Sequence, residues 1–157
     1  MARISFYHGI DMVSFAGNGS NFADAIRAGT LNSATEADWW INLDGDGEEF
    51  RFYGSDLGDP SDNMPTSGVI SGWDYGFRTG SDFTPRWSFA DFSVEASTFT
   101  DVLLSGDLRT LLRVHIMAEA DRVFGSPDSD FLTGFDGNDV IDSGDSDDRL
   151  DGGAGDD

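Results

Sequence analysis

The C-terminal stretch "GSPDSDFLTGFDGNDVIDSGDSDDRLDGGAGDD", residues 125–157, repeats one pattern every nine residues. It divides into the nonapeptides GSPDSDFLT, GFDGNDVID and SGDSDDRLD, followed by the incomplete GGAGDD. The sixth position is always aspartate: Asp130, Asp139, Asp148 and Asp157. The eighth position is aliphatic: Leu132, Ile141 and Leu150. Moving the register back by nine residues adds Asp121 and Val123, so the periodicity begins near residue 121.

This period predicts a coil of very short strands. Each unit has a six-residue turn rich in Gly and Asp, in which glycine allows positive φ angles, and then three residues with an apolar centre. The apolar residue is expected to face inward, while its neighbours Phe131, Val140 and Arg149 face outward. Two units would complete one right-handed turn, and stacked turns would bury a thin aliphatic row. The sequence therefore predicts the start of a parallel β-roll over residues 121–157.

Such a roll needs more than apolar burial to fold. Residues 125–157 contain 11 Asp, 7 Gly and one Arg, and a thin aliphatic row cannot offset the entropy of ordering them. A hard divalent cation would also neutralise the stacked carboxylates, and Ca²⁺ accepts six to eight oxygen ligands. Without the ion, the segment is expected to be disordered, because binding and folding are then one equilibrium. The alternative is a permanently disordered acidic tail.

The units resemble the repeat-in-toxin (RTX) or haemolysin-type calcium-binding repeats, whose pattern is G-G-x-G-x-D-x-U-x with U apolar. GFDGNDVID matches with Phe135 in place of the second glycine, and GGAGDD fits all six of its positions. The other two units depart from the pattern, with Asp128 and Ser146 at the fourth position. The resemblance covers residues 121–157 only.

The resemblance implies Ca²⁺ ions held between each turn and the turn two repeats later. The first turn would supply its aspartate and the carbonyls of its second and fourth positions. The later turn would supply its aspartate and the carbonyls of its first and third positions. One implied site comprises Ser126, Asp128, Asp130, Ser143, Asp145 and Asp148. The other comprises Phe135, Gly137, Asp139, Gly152, Ala154 and Asp157. The second is expected to be the weaker because no strand follows it, and Asp121 with Asp139 could form a third, one-sided site.

Residues 1–120 carry nearly all the aromatic residues and are predicted to form a β-rich module with one or two short helices. Residues 5–15 predict an opening strand, and residues 39–43 and 49–53 predict a hairpin closed by Asp-Gly-Asp-Gly. Two further strands are predicted at 69–78 and 86–96, separated from the hairpin by a loop over 56–68. In the last strand the apolar alternation of Trp87 and Phe89 shifts by one residue after Asp91, to Phe92 and Val94.

Helical patterns occur at three places in this module. Residues 22–29 follow Asn21 as a possible N-cap and stop at Gly29. Residues 97–106 are predicted to be capped by Ser97 or Thr98 and closed by Gly106. From Asp107 onward, apolar residues and one histidine recur at helical spacing: Leu108, Leu111, Leu112, His115 and Ile116. The fold class is thus predicted as mainly β, in two domains, 1–120 and 121–157.

Composition excludes several kinds of partner and site. The net charge is −21, with 30 acidic residues against 9 arginines, which disfavours binding to nucleic acid or to an anionic membrane. There is no cysteine, so neither disulfides nor thiolate metal sites can form. No apolar run is long enough for a membrane span or for the core of an N-terminal signal peptide.

The predicted function is calcium-ion binding coupled to folding, and no enzyme activity is expected. The two histidines form no His-Glu-x-x-His motif, and there is no Gly-x-Ser-x-Gly elbow. The resemblance implies a secreted bacterial protein that leaves the cell by a type I system, with an uncleaved C-terminal signal. Since the sequence stops within a repeat, we expect it to be a fragment of a longer protein.

An alternative is an extracellular adhesion or carbohydrate-binding module in which the β-roll is a folding and spacing device. Trp39, Trp40, Trp73 and Trp87 could stack on a saccharide or contact a surface partner, although their spacing also suits an ordinary β core. Adjacent residues of a strand face opposite sides, so either Trp39 or Trp40 is expected to point outward.

Overall fold

The computed structural model of the protein describes residues 1–9, 12, 19–43, 47–58 and 63–157. Six strands precede residue 96: β1 (Arg3–Phe6), β2 (Thr30–Ala34), β3 (Asp38–Asn42), β4 (Glu48–Gly58), β5 (Ser67–Thr79) and β6 (Asp82–Glu95). The helices are α1 (Gly19–Ala28), α2 (Ala96–Leu104) and α3 (Leu108–Thr110), and α3 runs directly into a π-helical segment, Leu111–Ile116. Four short strands follow: β7 (Arg122–Phe124), β8 (Phe131–Thr133), β9 (Val140–Asp142) and β10 (Arg149–Asp151). The predicted mainly β class is confirmed.

One eight-stranded sheet runs through both parts of the chain, in the order β2-β3-β4-β5-β6-β1-β7-β9. The pairs from β2 to β6 are antiparallel, as is the pair of β1 with β6. From β1 onward the pairing becomes parallel, first with β7 and then between β7 and β9. Strands β8 and β10 form a separate parallel pair. The sheet of the N-terminal module therefore continues into the roll without a break.

Aromatic side chains fill the core between one face of this sheet and the helices. Trp73, Phe52 and Phe99 are each fully buried, and Phe99 of α2 packs edge-on against the other two at 5.7 Å between ring centroids. The predicted hairpin is confirmed as β3 and β4, which pair from Asp38 with Tyr53 to Asn42 with Glu49. Residues 44–46 of its turn lie outside the described residues.

A bulge in β6 explains the shifted alternation of its apolar residues. Asp91 has a φ of +62°, and the pairing with β5 changes register between Ile70 and Gly72. Between Ala90 and Val94, β6 has three residues where β5 has only Ser71, and this irregularity keeps Phe92 and Val94 buried like Phe89. The shift predicted from the sequence is confirmed.

Three predicted boundaries were wrong. Helix α2 begins at Ala96, directly after β6, so Ser97 and Thr98 lie inside it, and its N-cap residue Glu95 makes no side-chain capping bond. Helix α1 begins at Gly19, ahead of the predicted cap Asn21. The opening strand ends at Phe6 and Met12 is helical, while residues 10–11 and 13–15 lie outside the described residues.

Two other boundaries shift by only a few residues. The loop predicted at 56–68 is shorter, because β4 extends to Gly58 and β5 begins at Ser67. Residues 59–62 of that loop lie outside the described residues. The third predicted helix begins where expected: Asp107 caps it by accepting the Thr110 N–H at 3.1 Å, and Leu108, Leu111, Leu112 and Ile116 are buried.

The four short strands repeat at intervals of nine residues, as the sequence predicts. Their central residues form the expected inward row, but burial declines along the chain. Val123 and Leu132 are fully buried, Ile141 is half-buried, and Leu150 is 49% exposed. Leu150 is exposed because β10 has only β8 beside it. Among the helices in the described part of the chain, the longest has ten residues, which is too short to cross a bilayer.

Candidate cation site in the repeat turns

The sixth-position aspartates stack on one another two repeats apart. The Oδ1 atom of Asp139 accepts the N–H of Asp121 at 2.8 Å, and that of Asp157 accepts the N–H of Asp139 at 2.9 Å. On the other side of the roll, Asp148 accepts the N–H of Asp130 at 2.9 Å. Each carboxylate is thus fixed by the backbone of the turn beneath it. The aspartate side chains therefore form two rows, one on each side of the roll.

Three of the four repeat turns have a left-handed backbone at their second and fourth positions. In the turn of residues 134–139 these are Phe135 (φ +70°) and Gly137 (φ +144°). The two later turns follow the same rule at Gly144, Ser146, Gly153 and Gly155. The turn of residues 125–130 is different, because neither Ser126 nor Asp128 has a positive φ. Its second and fourth carbonyls are therefore oriented differently from those of the later turns.

Three of the stacked carboxylates are buried, and two of them have an oxygen without a partner. Asp121, Asp130 and Asp139 are 1%, 4% and 3% exposed. The Oδ2 atoms of Asp121 and Asp139 accept no hydrogen bond. In contrast, Oδ2 of Asp130 accepts the backbone N–H of Ser126 at 2.7 Å and its hydroxyl at 3.1 Å. Burying an ionised oxygen without a donor is costly, so the first two positions need a counter-charge.

The electrostatics of these two residues agree with their burial. Burial raises the pKa of Asp121, and the charges of Asp139 and Glu119 raise it further, against the N–H of Ala2 and the terminal amino group, which lower it. Burial also raises the pKa of Asp139, assisted by Asp157 and Asp136 and opposed by the hydrogen bond from Asp121. Both shifts show that negative charge is unfavourable here without a cation.

Backbone carbonyls face the same space as the carboxylates. A Cβ placed on Gly134 would lie 2.2 Å from Oδ2 of Asp139 and 2.5 Å from the carbonyl oxygen of Gly152. Likewise, a Cβ on Gly125 would lie 2.3 Å from the carbonyl oxygen of Ser143 and 2.8 Å from Oδ2 of Asp130. Glycine at the first position therefore leaves a gap between a carboxylate and a carbonyl. Oxygen-only donors of this kind suit Ca²⁺.

The number of carboxylates at each position is small. Over the described residues, no three Asp, Glu or His side chains converge closely enough to hold a metal ion. Any ion in these turns would therefore be held by two carboxylates at most, with carbonyl oxygens or water completing its shell. The same arrangement is implied by the repeat pattern of the sequence.

Comparison with known families agrees with the geometry of the turns. The family model for the RTX calcium-binding nonapeptide repeat, which spans four copies, matches residues 117–150 and again residues 124–157. Residues 117–157 are RTX repeats. The match covers this segment only, and none of the curated proteins matches the chain.

Among solved structures, the chain is similar to the hemophore HasA from two Yersinia species. For the apo protein from Yersinia pestis the identity is 12% and the TM-score 0.49, covering 73% of this chain and 85% of that one. For a monomeric mutant from Yersinia pseudotuberculosis the identity is also 12% and the TM-score 0.48, covering 73% and 87%.

The structure brings together most of the residues that the RTX pattern implies as ligands. Around Asp139 lie Phe135 and Gly137 of its own turn and Gly152, Ala154 and Asp157 of the stacked turn. Ala154 N–H donates to the Phe135 carbonyl at 2.8 Å, and Gly137 N–H donates to the Ala154 carbonyl at 2.9 Å. Each of these carbonyls has a second lone pair to offer a cation.

The other implied set is less regular. Asp130 lies near Ser126, Ser143 and Asp148, as expected. The carbonyl of Asp128, which the pattern implies as a ligand, accepts the hydroxyl of Ser126 at 3.5 Å, and its side chain accepts the N–H of Gly9 at 3.4 Å. Asp145, whose carbonyl is implied as another ligand, is exposed.

Two contacts of the RTX segment were not anticipated from the sequence. The N–H of Ala2 donates to Oδ1 of Asp121, so the row of stacked aspartates extends to the start of the chain. Arg113 makes a two-pronged ion pair with Asp136, at 2.9 and 3.1 Å, which ties the π-helical segment to a repeat turn. Both join residues that are distant in the sequence, by 119 and 23 positions.

The tryptophans do not form the platform considered for saccharide binding. Trp39, Trp73 and Trp87 are 2%, 0% and 4% exposed, so they belong to the core. Trp40 faces the opposite side of the sheet, as one of the adjacent pair must. There Arg51 and Arg78 lie over its ring at 5.0 and 4.4 Å, and Phe83 packs edge-on against it at 5.1 Å. The indole is partly covered by its own neighbours.

Proposed function

We propose that the RTX segment binds Ca²⁺ and that binding completes the folding of the roll in a secreted protein. The observation that carries this is the pair of buried Oδ2 atoms on Asp121 and Asp139, which accept no hydrogen bond. A cation between stacked turns would supply the missing positive partner and cancel the repulsion between the carboxylates. The match to the calcium-binding repeat family supports the choice of ion.

We propose that the ions lie chiefly along the row of Asp121, Asp139 and Asp157. Both unpartnered oxygens belong to this row, and the turn of residues 134–139 has the left-handed backbone of the RTX pattern. On the opposite row, Ser126 already donates two hydrogen bonds to Asp130. A cation at Asp130 and Asp148 would have to compete with these donors, so its affinity is expected to be lower.

We infer that the protein acts outside the cell, where calcium is plentiful. The RTX repeats support this, because a chain that folds only with the ion stays loose where calcium is scarce and folds where it is abundant. Extracellular calcium modules typically bind at about 10⁻⁴–10⁻³ M, and sites with only two carboxylates suit that range. Export by a bacterial type I system, implied by the repeats, belongs to the same proposal.

Calorimetric Ca²⁺ titration with far-UV circular dichroism tests the proposal. Asp139→Asn keeps the shape of the side chain and removes its charge, so we expect at least tenfold weaker binding, about 1.4 kcal/mol. Asp142→Asn is the matched control, because Asp142 lies three residues away in the same repeat but is an exposed strand residue. It should bind like the wild type.

Magnesium provides a second control, because its demand for octahedral geometry makes it a poor substitute in such a carbonyl-rich site. The proposal fails if millimolar Ca²⁺ produces neither heat nor a gain of β signal. It also fails if Asp142→Asn weakens binding as much as Asp139→Asn does. Tryptophan fluorescence should confirm that the N-terminal module is folded in each variant.

A further inference from the structure

Strand β1 pairs with the RTX segment in the same way that the strands of the repeats pair with one another. It pairs in parallel with β7, and Ile4 lies opposite Val123. Within the repeats, Val123 lies opposite Ile141 in the same way, in the pairing of β7 with β9. Ile4 therefore takes the eighth position of a repeat, and it is fully buried like Val123. A strand of the N-terminal module stands where a preceding repeat would place its own.

The backbone hydrogen bonds between β1 and β7 follow the same pattern as those between the strands of the repeats. Within the RTX segment, Val140 N–H donates to the carbonyl of Asp121 at 2.9 Å, and Arg149 N–H donates to that of Asp130 at 2.8 Å. At the junction, Arg122 N–H donates to the carbonyl of Ala2 at 3.0 Å. Ala2 also donates its N–H to the carboxylate of Asp121, just as Asp121 donates to Asp139. Ala2 thus occupies the backbone position of a sixth-position aspartate.

Other contacts hold the near end of the roll against the module. Arg113 pairs with Asp136, and a Cβ on Gly137 would meet the carbonyl of Glu119 at 2.0 Å, so the turn of residues 134–139 lies directly on the segment after the π-helix. Leu132 and Phe135 are part of the module's hydrophobic core. The far end has no such support, since Leu150 is half exposed.

We propose that β1 is a permanent first rung of the roll, which positions the first coil before any cation binds. The first coil, β7 and β8, folds with the module, and Ca²⁺ is needed only to add the second coil, β9 and β10. The first statement is independent of the proposed function, and the second rests on it. Repeat structures grow by stacking on a folded neighbour. Strand β1 provides that neighbour, and it is already ordered as part of the N-terminal module.

This arrangement changes how calcium acts. In an isolated repeat segment the ion must order every turn that it touches, so its affinity is reduced by the cost of folding. Here the turn that ends at Asp121 is already docked on β1, and the turn that ends at Asp139 lies against Arg113 and Glu119, so the ion has only to order the strands β9 and β10. The site shared by these two residues should therefore fill first, and the site of Asp139 and Asp157 should follow.

Hydrogen exchange read by mass spectrometry tests the proposal in the full chain. In EDTA we expect residues 122–124, which pair with β1, to be protected at least 100-fold more than residues 140–142 and 149–151. Residues 131–133 have β10 as their strand partner, so they should gain protection together with β10. Adding millimolar Ca²⁺ should bring the second coil to similar protection. Unprotected β7 in EDTA, while Trp73 and Trp87 report a folded core, would overturn the claim that β1 acts as a first rung.

Two proline variants distinguish the two ends of the roll. Arg122→Pro removes the N–H that bonds to Ala2, and Arg149→Pro removes the equivalent N–H that bonds to Asp130. Both arginines are exposed and occupy the seventh position of a repeat. Arg122→Pro should abolish protection of all four strands or raise the required Ca²⁺ at least tenfold. Arg149→Pro should affect β10 and its partner β8 alone.

The possible outcomes separate this proposal from the proposed function. Equal effects of the two proline variants would overturn the role of β1. Equal protection of both coils in EDTA, with no calorimetric signal for Ca²⁺, would overturn the calcium step and the proposed function together, while β1 would remain a rung. Calcium binding by a chain whose first coil is unprotected in EDTA would support the proposed function and contradict the first rung.

Discussion

At the scale of single residues, position 137 requires glycine for two separate reasons. Its φ of +144° lies where side chains are rarely tolerated, and a Cβ would lie 2.0 Å from the carbonyl oxygen of Glu119. The glycine therefore both shapes the turn and lets it sit on the segment below. Gly80, in the β5–β6 turn, also has a positive φ (+65°), but a Cβ there would meet nothing within 4 Å.

Gly137→Ala and Gly80→Ala should therefore differ in cost. We expect Gly80→Ala to lower the free energy of unfolding by about 1 kcal/mol, from backbone conformation alone. Gly137→Ala should cost about 3 kcal/mol, because the backbone of a neighbouring turn must also move. Urea unfolding in saturating Ca²⁺, followed by circular dichroism, measures both. Similar costs would mean that the contact with Glu119 does not constrain the roll.

Asp74 is a buried carboxylate on the sheet face opposite the core. It is 8% exposed and accepts the hydroxyl of Ser88 at 2.6 Å. Burial raises its pKa above the ordinary value of 3.8, although the bond from Ser88 and the charge of Arg51 act in the opposite direction. The folded state therefore binds this proton more tightly than the unfolded state does.

This shift predicts a pH dependence of stability with a definite sign. A raised pKa contributes stability that is fully present below the unfolded value and is lost as pH rises through the folded value. The stability of the wild type relative to Asp74→Asn should therefore fall as the pH rises above the ordinary value of 3.8. Urea unfolding in EDTA, monitored by tryptophan fluorescence, gives this difference. A difference that stays flat or increases with pH would contradict the assignment.

At the scale of elements, the sequence predicted strands better than helix starts. The roll strands were located because one spacing recurs, so that Leu132, Ile141 and Leu150 each mark the centre of a strand. The start of α2 was misplaced because Ser97 and Thr98 resemble caps. The chain instead passes directly from a strand into the helix at Ala96, and the order of these two elements, not local capping, decides where the helix begins.

The bulge of β6 yields a prediction at this scale. Asp91 is exposed and holds a φ of +62°, which aspartate tolerates and β-branched residues do not. Asp91→Val should lower the free energy of unfolding by about 1–2 kcal/mol, and Asp91→Gly should leave it unchanged or raise it by up to about 1 kcal/mol. Thermal unfolding in EDTA measures both. If valine were tolerated as well as glycine, the bulge would not set the register of the strand.

At the scale of the whole molecule, the sequence predicted the two segments of the chain but not the strand pairing that joins them. The periodicity divides the chain near residue 121, and the division into domains 1–120 and 121–157 remains a prediction. The structure adds that one sheet crosses this boundary, through the pairing of Arg3 with Arg122. A contact across 119 residues leaves no local pattern. Nor did the repeat pattern show that Ser126 would donate two hydrogen bonds to the carboxylate of Asp130.

The decline in burial from Val123 to Leu150 has a mechanical consequence. If the chain were pulled at its C-terminal end, β10 would detach first, because it has one neighbour and an exposed centre. Each detached repeat would release nine residues, or about 30 Å of extended chain, while β1 still anchored the remainder. The roll would then lengthen in steps under load, and if calcium binds as proposed, its local concentration would set the force at which each step occurs.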